Sequence, residues 1–232
     1  MTEQESQDMS RDCHAGFAAG DPIVSCDGHL LRQLLEAGTS WLECHTAAIN
    51  ALNVFPVPDG DTGTNMLLTM KSALQELYHS PERSVGAVAH TLSHGALMGA
   101  RGNSGVILSQ ILRGLAKSLG EKEVFNPRDF ASALMEASAT AYKAVMKPVE
   151  GTILTVVKDV AEAASAATQE VEDLSYVLCK AVEAGKASVA RTPLLLPVLA
   201  EAGVVDAGGQ GLLILFEGMM RFLRGEPLDT SS

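Results

Sequence analysis

Aromatic residues are scarce in this sequence: they fill 4% of its 232 positions, and there is one tryptophan. Hydrophobic residues nevertheless reach 47%, mostly Ala, Leu and Val, so the chain can bury a core without bulky rings and is not disordered throughout. Basic residues are scarce too. Seventeen Lys and Arg against 28 Asp and Glu give a formal charge of −11. That balance argues against nucleic acid or an anionic membrane surface as a partner, because such polyanions are held by clustered Lys and Arg. It leaves one exception, a small phosphate ligand whose charge a metal ion offsets locally. The four cysteines, Cys13, Cys26, Cys44 and Cys179, include no CxxC pair and have no His at zinc-finger spacing. Neither a disulfide framework nor a structural zinc site is expected, and a reducing, cytoplasmic setting fits. No apolar run nears the roughly 18 residues that a membrane span needs, and the acidic start lacks the charge order of a signal peptide.

Residues 1–26 read as a poorly ordered tail of mixed polarity. Helical spacing then begins with Leu30, Leu31, Leu34, Leu35, Trp41, Leu42, Ile49 and Leu52. The prolines and glycines of residues 53–65 stop it, and it resumes at Met66, Met70, Leu74 and Leu77. Further helices are expected from Ser84, and from a start that Ser104 is placed to cap. Another follows Asn126-Pro-Arg-Asp129, where a cap residue, a first-turn proline and an acid coincide. Stretches from Thr152 to about Ala167 and from about Glu170 to Ala190 follow, then one starting near Thr192-Pro193 and a last apolar helix ending near Arg224. No run alternates with period two. The expectation is one all-α domain of eight or nine helices, whose connecting turns are unusually rich in Gly, Asp, Asn, Ser and Thr.

Those turns carry the chemistry. In Pro58-Asp59-Gly60-Asp61-Thr62-Gly63-Thr64-Asn65, two carboxylates one residue apart can face a single hard cation, and the helix that follows offers free amides to an anion. A plain capped turn would use the same residues. An EF-hand does not fit, since its closing Glu would fall at Met70 and its mid-loop Gly at Thr64. Arg101-Gly102-Asn103-Ser104-Gly105 suits a phosphate cradle or an ordinary helix-to-helix turn. Neither a Walker A loop nor a GxGxxG fingerprint occurs. Lys147-Pro-Val-Glu-Gly-Thr152 places a base, an acid and a hydroxyl around a helix start, and Asp206-Ala-Gly-Gly-Gln-Gly211 does something similar; each alone reads as a helix boundary. His90 and His94 stand one turn apart, but Thr91 takes the place of the zincin Glu, so a solvated or packed pair is expected.

Residues 53–66, Asn53-Val-Phe-Pro-Val-Pro-Asp-Gly-Asp-Thr-Gly-Thr-Asn-Met66, closely resemble the nucleotide-binding domain of bacterial fatty acid kinases. That domain belongs to the superfamily of the dihydroxyacetone kinase L subunit. Residues 97–110, 141–155 and 203–212 match in the same order, and the resemblance spans about residues 28–225. It implies a barrel of about eight antiparallel helices, with the nucleotide site in loops at one end. Where dihydroxyacetone kinases place a first metal-binding aspartate, this chain has Asn53, as the fatty acid kinase branch does.

The resemblance also implies the roles. ATP or ADP and Mg²⁺, expected as two ions, would be the cofactors, with Asn53, Asp59 and Asp61 as metal ligands. Thr62, Thr64, Asn65, Gly102, Asn103, Ser104, Gly105, Thr152, Asp206, Gly208 and Gly209 would hold the nucleotide. Asp59, Asp61 and Arg101 would serve the transfer itself. The expected activity is phosphorylation of a fatty acid, presented by a separate fatty-acid-binding carrier protein, to acyl phosphate. The alternatives are a subunit of dihydroxyacetone-kinase type and a non-catalytic nucleotide-binding regulatory module. The expected domain is 27–225, with a C-terminal tail at 226–232 that reads as the start of a linker and suggests an excised domain. No nucleic acid or transmembrane segment is expected, and a homodimer stays open.

Overall fold

The computed structural model of the protein describes residues 21–79 and 83–228. Among the described residues nine helices follow one another: α1 (Gly28–Ala51), α2 (Thr62–Tyr78), α3 (Val85–Met98), α4 (Gly102–Leu119), α5 (Pro127–Ala144), α6 (Ile153–Ala167), α7 (Leu174–Leu195), α8 (Pro197–Ala202) and α9 (Ala207–Leu223). The only strands among them are two-residue pieces, β1 (Cys26–Asp27) and β2 (Val124–Phe125), paired antiparallel. The domain is all-α, as the spacing predicts.

Local chemistry sets the helix starts. Asp27 caps α1 by accepting the Leu30 amide at 2.9 Å. Asn126 and Asp129 form the full capping box of α5 around Pro127. Each helix then buries its apolar stripe. Leu35, Leu42 and Ile49 of α1 meet Met66 and Met70 of α2, Val156 and Val160 of α6, and Leu212 and Phe216 of α9 in one core.

Packing follows a closed circuit. Each of α1 to α7 packs on the next, α7 packs on α9, and α9 returns to α1. Small residues close the circuit where rings would not fit: a Cβ on Gly218 would lie 2.7 Å from the Ala37 carbonyl oxygen, and one on Gly38 would lie 2.7 Å from that of Leu215. This is the structural meaning of the low aromatic count, because helices meet here through Gly and Ala at nearly backbone-to-backbone distance.

One end of the circuit is tied by the main chain. The Gly28 amide donates to Arg83, that of Gly86 to Lys122, that of Val85 to Glu123 and that of Leu174 to Ile23. The turns after α2, α4 and α6 gather at that end with β1. Ile23 and Cys26, which fall in the stretch 1–26 that reads as a tail, are thereby bonded to Leu174 and Phe125. Cys26 is 1% exposed, and burial beside Asp27 and Asp173 pushes its thiol up to about 12. Residues 1–20 of that expected tail, and 229–232 of the C-terminal one, lie outside the described residues. Glu226 and Pro227 fold back on the end of α9, where the Arg221 Nε donates to the Pro227 carbonyl at 3.0 Å.

Two expected helix boundaries are corrected. The helix expected to begin at Thr192-Pro193 is the end of α7, which runs on to Leu195 with Pro193 inside it. Proline removes the amide that would serve the Val189 carbonyl, and the Thr192 hydroxyl donates to that carbonyl at 2.7 Å instead. Ser104 does not cap α4. The Gly105 amide already bonds the Arg101 carbonyl at 3.0 Å, so the first helical turn spans Ser104 and Arg101 is the cap position.

Candidate functional site

The other end of the circuit is open. The junctions that follow α1, α5 and α8, together with the first turns of α2, α4, α6 and α9, line a cavity of about 460 Å³ there. Four helices, α2, α4, α6 and α9, start at its wall, so four positive helix ends converge on one space. An anion is the natural occupant of such a space.

The four helix starts are satisfied differently. Thr152 caps α6: its hydroxyl donates to the Val149 carbonyl at 2.7 Å and accepts the Leu154 amide at 3.4 Å. Asp206 caps α9 by accepting the Gly209 amide at 2.7 Å. The Thr192 hydroxyl steadies it, accepting the Asp206 amide at 3.0 Å. This carboxyl is 5% exposed, and burial raises it from 3.8 to about 6 against the opposing pull of the Gly209 and Ile153 amides.

Helix α2 is capped from outside. Asp61 holds its N-cap position yet makes no side-chain cap bond. The work is done by two asparagines from the end of α1. Asn53 Oδ1 accepts the amides of Asp61 and Thr62, each at 3.2 Å, and Asn50 Oδ1 accepts the Thr64 amide at 3.1 Å. The Asp61 carboxylate is thereby left for the cavity, which it lines together with Asp59. Helix α4 has no side-chain cap at all, and its first turn, Gly102, Asn103 and Ser104, also lines the cavity. Gly102 has a φ of +59°, and a Cβ there would lie 2.3 Å from Asn65 Nδ2. Only glycine admits both the turn and that approach.

Eleven of the residues expected from sequence therefore share one wall: Asn53, Asp59, Asp61, Thr62, Asn65, Gly102, Asn103, Ser104, Thr152, Asp206 and Gly208. Thr64, Arg101, Gly105 and Gly209 do not line it. Thr64 accepts a bond from Asn50 Nδ2 at 2.9 Å, the Arg101 amide donates to the Thr69 hydroxyl at 3.2 Å, and the Gly209 amide bonds Asp206. Asn53 reaches the cavity as an organiser of the loop: its oxygen serves two amides and its Nδ2 donates to the Val57 carbonyl at 2.9 Å.

The structure adds lining residues that sequence reasoning missed, chiefly Phe55, Ile107, Val149 and Lys147. The apolar ones lie in the matched stretches but have no polar group to mark them as site residues. Lys147 stands in one of the four polar turns, and that recurrence is the signal that could have found it. At or near the C-terminal ends of α1, α3, α5 and α7, Val57, Leu97, Met98, Met146, Leu194 and Leu195 are exposed; Met146 is 97% and Leu194 84% accessible.

Among the described residues no group of three or more His, Cys, Asp or Glu side chains is placed to hold a metal. His94 faces Glu76 across 3.6 Å on an exposed surface. Two neighbouring carboxylates beside anion-seeking helix ends still suit Mg²⁺, which takes one or two carboxylates and completes its shell with substrate phosphates.

Residues 56–221 match the DAK2 domain family. The chain belongs to that family. Among its relatives, Protein YloV of Bacillus subtilis (strain 168) is 50% identical over 204 residues, which is 88% of this chain and 37% of that protein. An uncharacterized protein of Staphylococcus saprophyticus is 47% identical over 210 residues, covering 90% of this chain and 38% of that one. This DAK2 domain thus spans somewhat over a third of the length of the curated relatives it matches. In fold it is similar to the crystal structure of the dihydroxyacetone kinase of C. freundii, with a TM-score of 0.61 at 19% identity, over 84% of this chain and 34% of that one. The matched segment contains both aspartates and all four helix starts, and it leaves out Asn53.

Proposed function

We propose that this DAK2 domain binds Mg-ATP in the open end of its helix circuit and serves a phosphotransferase, in the first place a fatty acid kinase. The observation that carries the reading is the uncapped Asp61 carboxylate beside the uncapped first turn of α4, in a cavity ringed by four helix N-termini. A lone carboxylate there would bind its own helix. A cation-and-anion pair explains why that bond is given up.

In this reading Asp59 and Asp61 hold Mg²⁺, which supplies positive charge to the phosphate oxygens. Asn53 fixes the loop that presents them. The amides of Gly102, Asn103 and Ser104 orient the phosphates, aided by the hydroxyls of Thr62 and Ser104, and Phe55, Ile107 and Val149 offer apolar surface to the rest of the nucleotide. No side chain acts as nucleophile. The acceptor oxygen attacks the terminal phosphorus, its bond to the bridging oxygen breaks, and ADP leaves; catalysis is positioning plus charge neutralisation.

The fatty acid acceptor rests on the resemblance in residues 53–66 and on the exposed apolar residues near the ends of α3, α5 and α7, which suit a carrier protein delivering an acyl chain. The name of the C. freundii neighbour favours a second reading, with dihydroxyacetone as acceptor. Release of ADP, measured with full-length protein across free fatty acids, carrier-bound fatty acids and dihydroxyacetone, separates the two. Turnover only with a carrier-bound acyl chain is expected. Turnover with dihydroxyacetone alone would replace the first reading by the second, and ATP binding without turnover on any acceptor would leave a regulatory module.

A further inference from the structure

We propose that Lys147 binds the terminal phosphoryl group of the nucleoside triphosphate and so distinguishes triphosphate from diphosphate. The inference rests on the nucleotide reading above and assigns a residue to which that reading gives no part. Lys147 is the sole Lys or Arg lining the cavity among the described residues. The lining also carries three carboxylates, Asp59, Asp61 and Asp206. A triphosphate brings about two more negative charges than these four helix ends, each worth roughly half a charge, can balance. A cation aimed at that deficit is what the site needs once Asp59 and Asp61 are engaged by metal.

The local sequence keeps the ammonium available. Pro148 disfavours helical backbone at the preceding residue, so Lys147 is carried on the non-helical 145–152 junction and is not part of α5. Its natural partner would be Glu150, three residues on. Both oxygens of that carboxylate are engaged elsewhere: Oε1 accepts the Tyr142 hydroxyl at 3.0 Å and Oε2 the Thr155 hydroxyl at 2.7 Å. The Gly151 amide bonds the same Thr155 hydroxyl at 2.8 Å, which fixes the junction from α6. Lys147 is exposed and belongs to none of the ion pairs of the described residues.

Position selects the terminal phosphate. Met146, the neighbouring residue, is almost wholly exposed, so this part of the junction stands at the mouth. The group to be transferred must also stand at the mouth, because the acceptor arrives from outside. Diphosphate keeps the inner contacts to Asp59, Asp61 and α4 and lacks the group that Lys147 would meet.

The test is calorimetric binding of Mg-ADP and of a non-hydrolysable Mg-ATP analogue to this chain, in wild type, Lys147→Gln, Lys147→Arg and Asp61→Ala. The expected result is a loss of roughly tenfold or more for the triphosphate in Lys147→Gln, less than about threefold for the diphosphate, and substantial recovery in Lys147→Arg. Unchanged triphosphate affinity in Lys147→Gln overturns the proposal, as does an equal loss for both nucleotides. Those failures leave the nucleotide reading standing so long as wild type binds and Asp61→Ala does not. Absence of binding in wild type would sink both. An exposed, unpaired lysine is not needed for folding, and an unchanged melting temperature of Lys147→Gln checks that.

Discussion

Asn53 Oδ1 accepts the Asp61 amide at 3.2 Å, so the residue that should cap helix α2 is itself held by an asparagine eight positions earlier. The same oxygen takes the Thr62 amide, and together the two bonds replace the cap that the Asp61 carboxylate would otherwise make. Asn53→Ala should therefore cost about 1–2 kcal/mol, the worth of a lost N-cap. For a chain of this size that is a fall of roughly 2–8 °C in melting temperature, measurable by calorimetry. The affinity for Mg-nucleotide should fall as well, because Asp61 would then be drawn back to its own helix. A stability loss with unchanged affinity would limit Asn53 to a structural part.

Asp206 makes stability depend on pH in a direction opposite to that of most carboxylates. Burial raises its folded-state value from 3.8 to about 6, so the folded protein binds this proton more tightly than the unfolded chain does. Its stabilising contribution is complete below pH 3.8 and is lost as pH rises through 6. The difference corresponds to about 3 kcal/mol at most. Asp206→Asn keeps a good cap residue and removes the titration. Without metal or nucleotide, the variant should melt above wild type at about pH 7.5, and the gap should close near about pH 4.5. A constant gap across that range would contradict the upward shift that burial gives this carboxyl.

Thr192 links the end of α7 to the cavity wall, since one hydroxyl serves both the Val189 carbonyl and the Asp206 amide. Thr192→Val removes that hydroxyl from a fully buried position and should cost about 1–3 kcal/mol in urea unfolding. Thr192→Ser keeps the hydroxyl and should recover most of the loss. Equal destabilisation by both variants would assign the effect to packing of the methyl group instead.

Gly218 tests the closure of the circuit. A side chain there would press on the Ala37 carbonyl and the Trp41 Cβ, both at 2.7 Å from an added Cβ. Gly218→Ala should lower stability by about 1–3 kcal/mol despite the better helix propensity of alanine. A thermal melt at least as high as that of wild type would mean that α1 and α9 are not held as closely as described.

The helices were legible because burial imposes the 3.6-residue period, and the capping residues Asn126, Asp129 and Thr152 mark their starts in the sequence itself. The turn at Asp59 and Asp61 was legible from two carboxylates, glycines and a following helix. Other features depend on partners far along the chain. Nothing near Thr192 says that its hydroxyl stands in for the amide missing at Pro193, and so α7 reads as two helices. Ser104 reads as a cap because cap preference is local, whereas the Arg101 carbonyl starts the turn. Ile23 and Cys26 read as tail because their bonds go to Asp173, Leu174 and Phe125. Phe55 and Ile107 line the cavity only through the ring closure, which no local pattern encodes.

The central claim is that the open end of the circuit holds Mg-nucleotide through Asp61. Thermal unfolding of wild type and Asp61→Ala, each with and without Mg-ATP, tests it most directly. At a ligand concentration of about 100 times Kd, wild type should gain about 2.7 kcal/mol, a rise of roughly 5–10 °C, while Asp61→Ala should gain little or nothing. No rise in wild type at millimolar Mg-ATP, or an equal rise in both proteins, would contradict the account.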